Sequence, residues 1–376
     1  MAHRHLKCLA LLLAKQYAAI GGQAVIEGVM MRSPNAFVVA VRKPDGTIRL
    51  RRDQWFGLSK KWNFLKKPFL RGVIILIETM VNGIVSLNYS ANIAMDEEMK
   101  NEARKKGVDE KEYIEQKRKN ETVSYATFFS IFISFLFGIG LFVLTPHYLT
   151  AWLEDTLGAS WGLQSFKFHA LDGTIKATIF LIYIGLIGMI PDIRRVFQYH
   201  GAEHKSISTF EHEEDLNVDN AIKYTTFHPR CGTTFIFFLL FISIILFAMI
   251  FAVVPVGEGK PFLVKHMLAV GFKIILTFPI AGISYEIIKY LGSHTDSVVA
   301  KVISIPGMLL QRLTTRDPDP DQLEVALTSI KTVLYLEDRY NLREADSKII
   351  EKDEIDIGSI KEVENTTLAL KDFLEH

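Results

Sequence analysis

Cysteine is almost absent from this chain of 376 residues, which contains only Cys8 and Cys231. Two cysteines so far apart exclude the dense disulfide framework of small secreted domains. The chain also lacks an excess of either charge, because 43 Lys and Arg oppose 42 Asp and Glu and leave a formal net charge of +1. Such a balance produces no positive field that would hold nucleic acid. We therefore expect no nucleic-acid partner.

Apolar residues make up 49% of the chain, and four segments are both long and almost free of charge. These segments are Ala126–Leu149, Ile175–Ile193, Thr233–Val254 and Met267–Leu291. Each approaches the roughly 20 apolar residues that a helix needs to cross a bilayer. The predicted fold class is an all-α integral membrane protein with about four transmembrane helices, in a membrane domain over residues 126–292. Its expected partner is membrane lipid, with a homo-oligomer or other membrane proteins as further options.

Lys and Arg are spread unevenly along the chain, which predicts how the spans are oriented. Basic clusters precede the first span, separate the second from the third, and follow the fourth. The segment His147–Gly173 instead contains a single lysine and two tryptophans, as an outer interfacial segment would. Because short basic loops stay in the cytoplasm, both the N-terminus and the C-terminus are expected there.

Three further segments are predicted before the first span. Residues 1–68 form a cytoplasmic N-terminal region with a small β-hairpin, because a Pro-Asp-Gly turn separates two runs rich in β-forming residues. Residues 69–95 are expected as an amphipathic or re-entrant helix at the inner leaflet, since charges such as Arg71 and Glu78 interrupt their apolar pattern. Residues 96–125 mix both charges at helical spacing and predict a charged cytoplasmic helical arm.

Two segments are predicted after the fourth span. Residues 293–344 are expected to form a cytoplasmic helical region, in which Asp319 caps a helix that begins at Pro320. Apolar residues recur along one face of this helix, so it should pack on the rest of the cytoplasmic part. Residues 345–376 are charged and weakly periodic, which is typical of a mobile tail.

A candidate site follows the second span, in the predicted cytoplasmic loop 194–232. It reads His200-Gly-Ala-Glu203-His204, an H-x-x-E-H pattern. On a helix the two histidines share a face at i and i+4, so both imidazoles can reach one ion. Glu203 is near enough to hold a water molecule and to act as the catalytic base, as in inverted zincin sites. The pattern predicts a metal site with zinc as the cofactor.

Further candidate ligands lie where the predicted topology returns the chain to the same membrane surface. His228 and Cys231 precede the third span, and Glu286 lies near the end of the fourth. An ionisable side chain within a span is a functional candidate. In an alternative interpretation, His228 and Cys231 only shape a turn, and Glu286 forms an ion pair with Arg230 or Lys289.

Two metal shells are compatible with these residues. If His200, His204, His228 and Cys231 all bind, the tetrahedral shell is closed and the zinc is structural. If only three protein ligands bind, with Glu286 or one of the His228 and Cys231 pair as the third, water can occupy the fourth position. Zinc would lower the pKa of that water to roughly 7, and a general base could accept its proton. The spacing alone leaves both shells open.

Five blocks of sequence carry a family resemblance. They are Gly21-Gly-Gln-Ala-Val-Ile-Glu27-Gly-Val-Met-Met-Arg32, Tyr-His200-Gly-Ala-Glu-His204-Lys, His228-Pro-Arg-Cys-Gly-Thr233, Ser284-Tyr-Glu286 and Pro306-Gly-Met-Leu-Leu-Gln-Arg-Leu-Thr-Thr-Arg316. Together they resemble the YqhQ-like family, a domain of unknown function that is often labelled a predicted metal-dependent enzyme. The resemblance covers most of the chain. It implies a multi-pass protein of the bacterial inner membrane.

The resemblance also implies which residues support the site. Glu27, Arg32, Gln311 and Arg316 are expected in the site region. Arg230, the alternative ion-pair partner of Glu286, is a further supporting candidate. A buried Glu27 needs a positively charged partner, and Arg32 or Arg316 could provide it.

Three functions are compatible with these features. The first is a membrane-embedded zinc-dependent hydrolase that acts on a lipid-linked or peptide substrate at the cytoplasmic face, with Glu203 as the base. The alternative is a non-enzymatic membrane scaffold or assembly factor, in which a structural zinc joins the helix ends. A second alternative is a transporter that uses Glu286 and Lys273 as ion or proton sites. Against that role, Lys273 could also simply snorkel to the outer interface.

The predicted orientation can be tested by cysteine labelling from each side of the membrane. Because residues 194–232 are basic, Asp215→Cys should react with a membrane-impermeant maleimide only from the cytoplasmic side. Ser160→Cys, in the segment 150–173, should react only from outside. Labelling of Asp215→Cys from outside alone would overturn the orientation and the expectation that the candidate ligands share one surface.

Overall fold

The computed structural model describes residues 20–33, 36–54, 57–58, 62–110, 112–113, 125–294, 297–339 and 353–365. Residues 114–124 of the predicted arm and most of the predicted tail lie outside these ranges. Within the described part, the chain is mostly helical and contains one small antiparallel sheet.

Helices account for most of the described chain. They are α1 Leu70–Lys106, α2 Tyr125–Ile139, α3 Thr145–Thr156, α4 Phe166–Ile187, α5 Pro191–Glu211, α6 Val218–Ala221, α7 Gly232–Val253, α8 Phe262–Ser293, α9 Val298–Thr314 and α10 Pro320–Arg339. A π-helical turn at Gly140–Leu144 joins α2 to α3, so the two form one long helical segment. Short 3₁₀ helices lie at Asn63–Lys66 and Ile360–Asn365.

The sheet has five antiparallel strands. They are β1 Gly21–Val25, β2 Gly28–Arg32, β3 Ala36–Arg42, β4 Ile48–Gln54 and β5 Asp353–Ile357, paired in that order. The predicted hairpin is confirmed as β3 and β4. At its turn Gly46 takes a φ of +86°, and the Asp45 carboxylate accepts a hydrogen bond from the Thr47 backbone N–H at 2.9 Å. The hairpin is therefore two strands of a larger sheet.

Strand β5 lies inside the segment that the sequence predicts as a mobile tail. Arginines of β4 hold it, since Arg49 Nη1 lies 3.0 Å from the Asp356 carboxylate and Arg52 forms an ion pair with Asp353. Read alone, this segment is mostly charged and its apolar alternation is as short as Ile355 and Ile357, which is why its composition suggested mobility. The prediction is wrong for residues 353–365 because the partner strand comes from the other end of the sequence.

Five helical segments in the described part are long and apolar enough to cross a membrane, one more than the four predicted. Four of them correspond to the predicted spans, and the additional one is α1. Helix α1 is 37 residues long and continues through the start of the predicted charged arm. It ends where Gly107 adopts the left-handed conformation, with a φ of +67°.

Helices α5 and α10 cover the sheet. Helix α5 packs on β1, and α10 packs on β2 and β3. Leu323, Leu327 and Ile330 of α10 are each 0% exposed and belong to the core that joins the helix to the strands. The predicted cap is confirmed, since the Asp319 carboxylate accepts a hydrogen bond from the Gln322 backbone N–H at 2.8 Å. We call these strands and the two helices the sheet body.

The apolar helices approach one another closely at small residues. Helix α4 packs on α7 at Gly173, where a Cβ atom would overlap the side chain of Ile244. Glycine at such a position lets two helices come close enough for extensive van der Waals contact. The same helix α4 also contains Gly185, where a Cβ atom would meet nothing within 4 Å.

This difference predicts unequal effects of one substitution at the two glycines. Gly173→Leu should separate α4 from α7 and lower the free energy of unfolding by about 1–3 kcal/mol, the usual cost of overpacking. Gly185→Leu is the control and should leave stability unchanged. Thermal unfolding of the two purified variants in detergent measures the effect. Equal unfolding midpoints would contradict the close approach of these helices.

Candidate metal centre

Helix α5 places His200 and His204 on one face. Their ring centroids are 4.5 Å apart, as the i, i+4 spacing predicts. Glycine inside a helix, such as Gly201 between them, ordinarily weakens the helix. In the structure it is where α5 touches residue 316, because a Cβ atom at Gly201 would overlap the Arg316 carbonyl oxygen.

Cys231 brings a thiol to the same point from the start of α7. It is the N-cap residue of that helix, and its Sγ lies 3.2 Å from His200 Nε2. His200, His204 and Cys231 each offer one ligand atom, and these three atoms lie within 4.8 Å of one another. Two imidazoles and a thiol at this separation are a donor set that suits zinc.

Backbone carbonyls orient both imidazoles. His200 Nδ1 lies 2.9 Å from the Thr314 carbonyl oxygen, and His204 Nδ1 lies 2.6 Å from that of Thr226. Each Nδ1–H can therefore donate to a carbonyl, which leaves Nε2 as the lone-pair atom, the usual arrangement of histidines that bind a metal. His204 Nε2 is buried and makes no hydrogen bond with the described residues. An unsatisfied buried nitrogen aimed at two other ligand atoms fits a metal ligand.

The charges of the three groups are coupled. Burial opposes the charged form of His200, but the neighbouring Cys231 raises the pKa of His200 to about 9. Burial likewise opposes the thiolate, yet His200 and His204 lower the pKa of Cys231 well below its usual range. Each group thus favours the charged form of the other. A divalent cation would take the place of the imidazolium proton.

Glu203 lies beside these ligands and is 5% exposed. Its Oε1 accepts a hydrogen bond from the Gly22 backbone N–H at 3.0 Å. The surroundings of Gly22 in β1 are tightly packed, because a Cβ atom there would overlap the Met30 carbonyl oxygen and would lie 3.0 Å from Glu203 Cγ. Burial raises the pKa of Glu203 above its ordinary value. The sheet body thus supplies one wall of the site.

His228 borders the three-residue cluster. Its ring centroid is 5.7 Å from that of His204, but its Nε2 lies 3.3 Å from a Glu211 carboxylate oxygen. Gln311 holds the His228 backbone, accepting from its N–H at 2.8 Å and donating to its carbonyl at 2.7 Å. Arg230 forms an ion pair with the same Glu211. The sequence reasoning missed Glu211, although it follows His204 by seven residues and so shares its helical face.

Glu286 lies away from this cluster, and its assignment as a metal ligand is wrong. Its carboxylate binds Arg71, with Arg71 Nε at 2.7 Å, and accepts from the Phe69 backbone N–H at 3.2 Å. The ion pair expected with Arg230 or Lys289 is likewise replaced by the pair with Arg71. This pair joins the start of α1 to α8, which the spacing along the sequence could not reveal.

The supporting residues also have other partners than predicted. Glu27 pairs with Arg195, whose Nη2 lies 2.6 Å from its carboxylate, and not with Arg32 or Arg316. Burial lowers the pKa of Arg32, which lies near Tyr285 and Glu78. The Arg316 guanidinium donates to the carbonyls of residues 312 and 315. Arg316 reaches the site only through its backbone, at Gly201.

The cluster predicts that the purified protein retains about one transition-metal ion per chain, with zinc favoured. His200→Ala and His204→Ala should each lose most of that metal, because each removes one of three ligands. His212→Ala is the matched control, since His212 caps the same helix and its Nδ1 lies 2.8 Å from the Ser208 carbonyl oxygen, outside the cluster. Elemental analysis of the three variants decides the point. Unchanged metal in His200→Ala and His204→Ala would refute the site.

Comparisons with known proteins identify the family. Residues 67–336 match the family described as Protein of unknown function (DUF1385). The Uncharacterized protein YqhQ of Bacillus subtilis (strain 168) is 34% identical over 330 residues, which cover 85% of this chain and 93% of the Bacillus protein. No solved structure matches significantly. Neither name mentions a metal or a reaction. Because these matches cover most of the chain, the protein belongs to the DUF1385 family and is a YqhQ-like protein.

Proposed function

We propose that this protein is a zinc-dependent hydrolase that works at the cytoplasmic surface of a bacterial inner membrane. The proposal rests on one observation, the convergence of His200, His204 and Cys231 beside the buried carboxylate of Glu203. Three protein ligands leave a tetrahedral ion one open position, which is the arrangement of catalytic zinc sites. His228, the fourth candidate, has its Nε2 directed at Glu211.

Glu203 would serve as the general base. Zinc in such a site supplies a bound water of lowered pKa and polarises the carbonyl or phosphoryl group under attack. The Gly22 N–H holds one oxygen of the Glu203 carboxylate at 3.0 Å. The raised pKa of Glu203 makes this carboxylate a stronger base than an exposed one. It would accept the proton of the attacking water and then deliver that proton to the leaving group.

The packing of the sheet body supports four membrane crossings. Strand β4 lies before α1 and pairs with β5, which follows α8. Helix α5 lies between α4 and α7 and packs on β1. The region before α1, the segment between α4 and α7 and the region after α8 therefore lie on one side of any bilayer that the apolar helices cross. The α2–α3 segment, α4, α7 and α8 give four crossings, and this even number returns the chain to the same side. The predicted cytoplasmic location of both termini accords with this count.

Helix α1 is then a surface helix along the inner leaflet. Its Ser90 hydroxyl accepts a hydrogen bond from the Ile26 N–H at 3.2 Å, and the Arg51 guanidinium lies 5.5 Å from the centroid of the Tyr89 ring. These contacts hold the middle of α1 on the sheet body. Its other side exposes apolar residues, which suits contact with lipid. They are Ile77, Met80, Val81, Ile84, Val85 and Leu87.

The position of the ligands favours a substrate at the membrane boundary. Cys231 caps α7, so the thiol lies directly at the start of an apolar span. Helix α9, whose Gln311 supports His228, also exposes apolar residues such as Val299 and Val302. A lipid-linked substrate would place its polar, scissile group at this depth while its acyl or prenyl chain stays in the bilayer. A membrane peptide is the other option.

A structural zinc in a membrane scaffold is the competing function. The observation in its favour is that His228 is 5% exposed and its ring is next to that of His204. If the His228 imidazole left Glu211 and bound the ion, the shell would be closed and no water could be activated.

Glu203→Gln separates the two functions, because a hydrolase needs the base and a closed shell does not. The variant should keep its zinc and its thermal stability but lose function by about 10²–10⁴-fold, the usual contribution of a general base. Complementation of a strain that lacks the chromosomal gene measures function, and Glu213→Gln, an exposed carboxylate beyond the end of the same helix, is the matched control. Full complementation by Glu203→Gln would exclude the hydrolase.

The open coordination position of the metal can be probed in the purified protein without a known substrate. Cobalt(II) in place of zinc should give a visible spectrum that acetohydroxamate changes, since this bidentate ligand binds only where water can be displaced. His228→Ala should retain cobalt and respond in the same way. A spectrum that acetohydroxamate leaves unchanged, with metal lost in His228→Ala, would favour the structural zinc.

A further inference from the structure

The end of the helix bundle farther from the metal centre contains a second group of buried ionisable side chains. They come from three helices and are almost fully buried: His147 of α3 is 0% exposed, Asp172 of α4 is 1%, and Lys273 and His266 of α8 are 2% and 6%. Along α4, Asp172 is about 20 Å from the end that leads to α5. This group is therefore separate from the metal centre.

Lys273 does not snorkel to the interface, which corrects the prediction from its position. Its ammonium lies 2.8 Å from the Asp172 carboxylate and 3.1 Å from His147 Nδ1. It also lies over the rings of Phe168 and Phe247, at 5.6 and 5.5 Å from their centroids. The cation is thus held inside the bundle by groups of three other helices. The feature of the sequence that indicated this buried cluster was the presence of an ionisable residue within each of several spans.

The hydrogen bonds fix the tautomer of His147. An ammonium can only donate, so His147 Nδ1 must be the acceptor and His147 Nε2 must carry the proton. His147 Nε2 lies 3.0 Å from His266 Nδ1, which must then accept. The remaining proton of neutral His266 is consequently on Nε2. Lys273, His147 and His266 form a chain in which every hydrogen bond is donated in the same direction.

This chain ends at a cavity. His266 lines a pocket of about 220 Å³, together with Glu154, Asp155 and Lys265 and with the loop residues Gly162 and Leu163. Polar and charged groups and this volume allow the pocket to hold several water molecules. The pocket lies between the end of α3 and the start of α8, on the side of the bundle away from the sheet body. The far end of the chain reaches Asp172, whose Oδ1 makes no hydrogen bond with the described residues.

We propose that Lys273, His147 and His266 form a proton relay, which exchanges the proton of the buried Lys273–Asp172 pair with water in this pocket. In the outward direction Lys273 gives a proton to His147 Nδ1, His147 Nε2 gives its proton to His266 Nδ1, and His266 Nε2 releases one to water. Lys273 is left as a neutral amine, and both imidazoles are left protonated on Nδ1. The same steps in reverse restore the starting state, so one proton leaves, one returns, and no ring has to rotate.

A purely structural ion pair would need only Lys273 and Asp172. His147 also accepts a hydrogen bond from the ammonium at 3.1 Å, and its 3.0 Å contact with His266 connects the pair to the pocket, a connection that an ion pair alone would not need. Other titratable groups face the relay. They are Lys176 near Asp172 and Lys273, His169 near His147, and Glu154 and Lys265 near His266. Lys176 is a remaining positive charge near Asp172 when Lys273 is neutral.

Solid-state NMR of the full chain, labelled with ¹⁵N-histidine and reconstituted in lipid bilayers, tests the relay. The His147 signals are assigned by their absence from the spectrum of His147→Gln, and they should show an unprotonated Nδ1. The Nε2 proton of His147 should exchange with water although the ring is buried. His266→Phe, which keeps an aromatic ring but removes both nitrogens, should slow this exchange at least ten-fold. His169→Phe is the matched control, because His169 is a buried histidine of the same bundle whose Nε2 lies 2.8 Å from the Leu163 carbonyl oxygen, outside the relay.

Three results would overturn the proposal. The first is a proton on His147 Nδ1 in the unsubstituted protein, a measurement that depends on no variant and so stands even if His266→Phe does not fold. The second is slow exchange at His147 in that same protein. The third is exchange that His266→Phe leaves unchanged, which would mean that water reaches His147 directly. Zinc content and the Glu203 variants do not enter this test, so it is independent of the proposed hydrolase.

Discussion

The pairing of β4 with β5 is the contact on which the rest of the molecule depends. It joins a strand that precedes α1 to one that follows α10, and ion pairs such as Arg49 with Asp356 reinforce it. Once both ends belong to one sheet, α10 has a surface to cover and α5 has β1 to pack on. The candidate metal centre lies where α5 meets β1, the start of α7 and the end of α9. Its geometry therefore depends on contacts between parts that are remote in sequence.

Short sequence patterns predicted the structural elements that depend only on residues close together in the chain. The i, i+4 spacing of His200 and His204, the cap at Asp319, the turn at Asp45 and four of the apolar helices follow from short patterns, and the structure contains each of them. Cys231 could be predicted only by adding topology, because its approach to His200 requires the chain to return to the same surface. The proposed chemistry of this cluster goes beyond these patterns and rests on its geometry.

The predictions that failed all concern charged residues whose partners are distant in sequence. Glu286 was considered a ligand because it lies in a span, but Arg71, 215 residues away, binds it. Glu27 was assigned to Arg32 or Arg316, and it pairs with Arg195. Lys273 was considered either as an ion or proton site or as a side chain that snorkels to the interface, and the second alternative fails because groups of α3 and α4 hold it inside the bundle. A single sequence shows that a buried charge needs a partner, but it does not show which of many opposite charges the fold brings close.

Strand β5 also has a consequence for the order in which the protein is made. Domains generally form from the N-terminus during synthesis, but here residue 353 leaves the ribosome only after every apolar helix has been translated. Until then β4 is an edge strand with unpaired N–H and C=O groups, which invites pairing with other chains. The arginines at positions 49, 51 and 52 of β4 disfavour such pairing through their mutual repulsion. The basic strand that later attracts the acidic β5 thus also disfavours association of the nascent chain with other chains while the apolar helices are being synthesised.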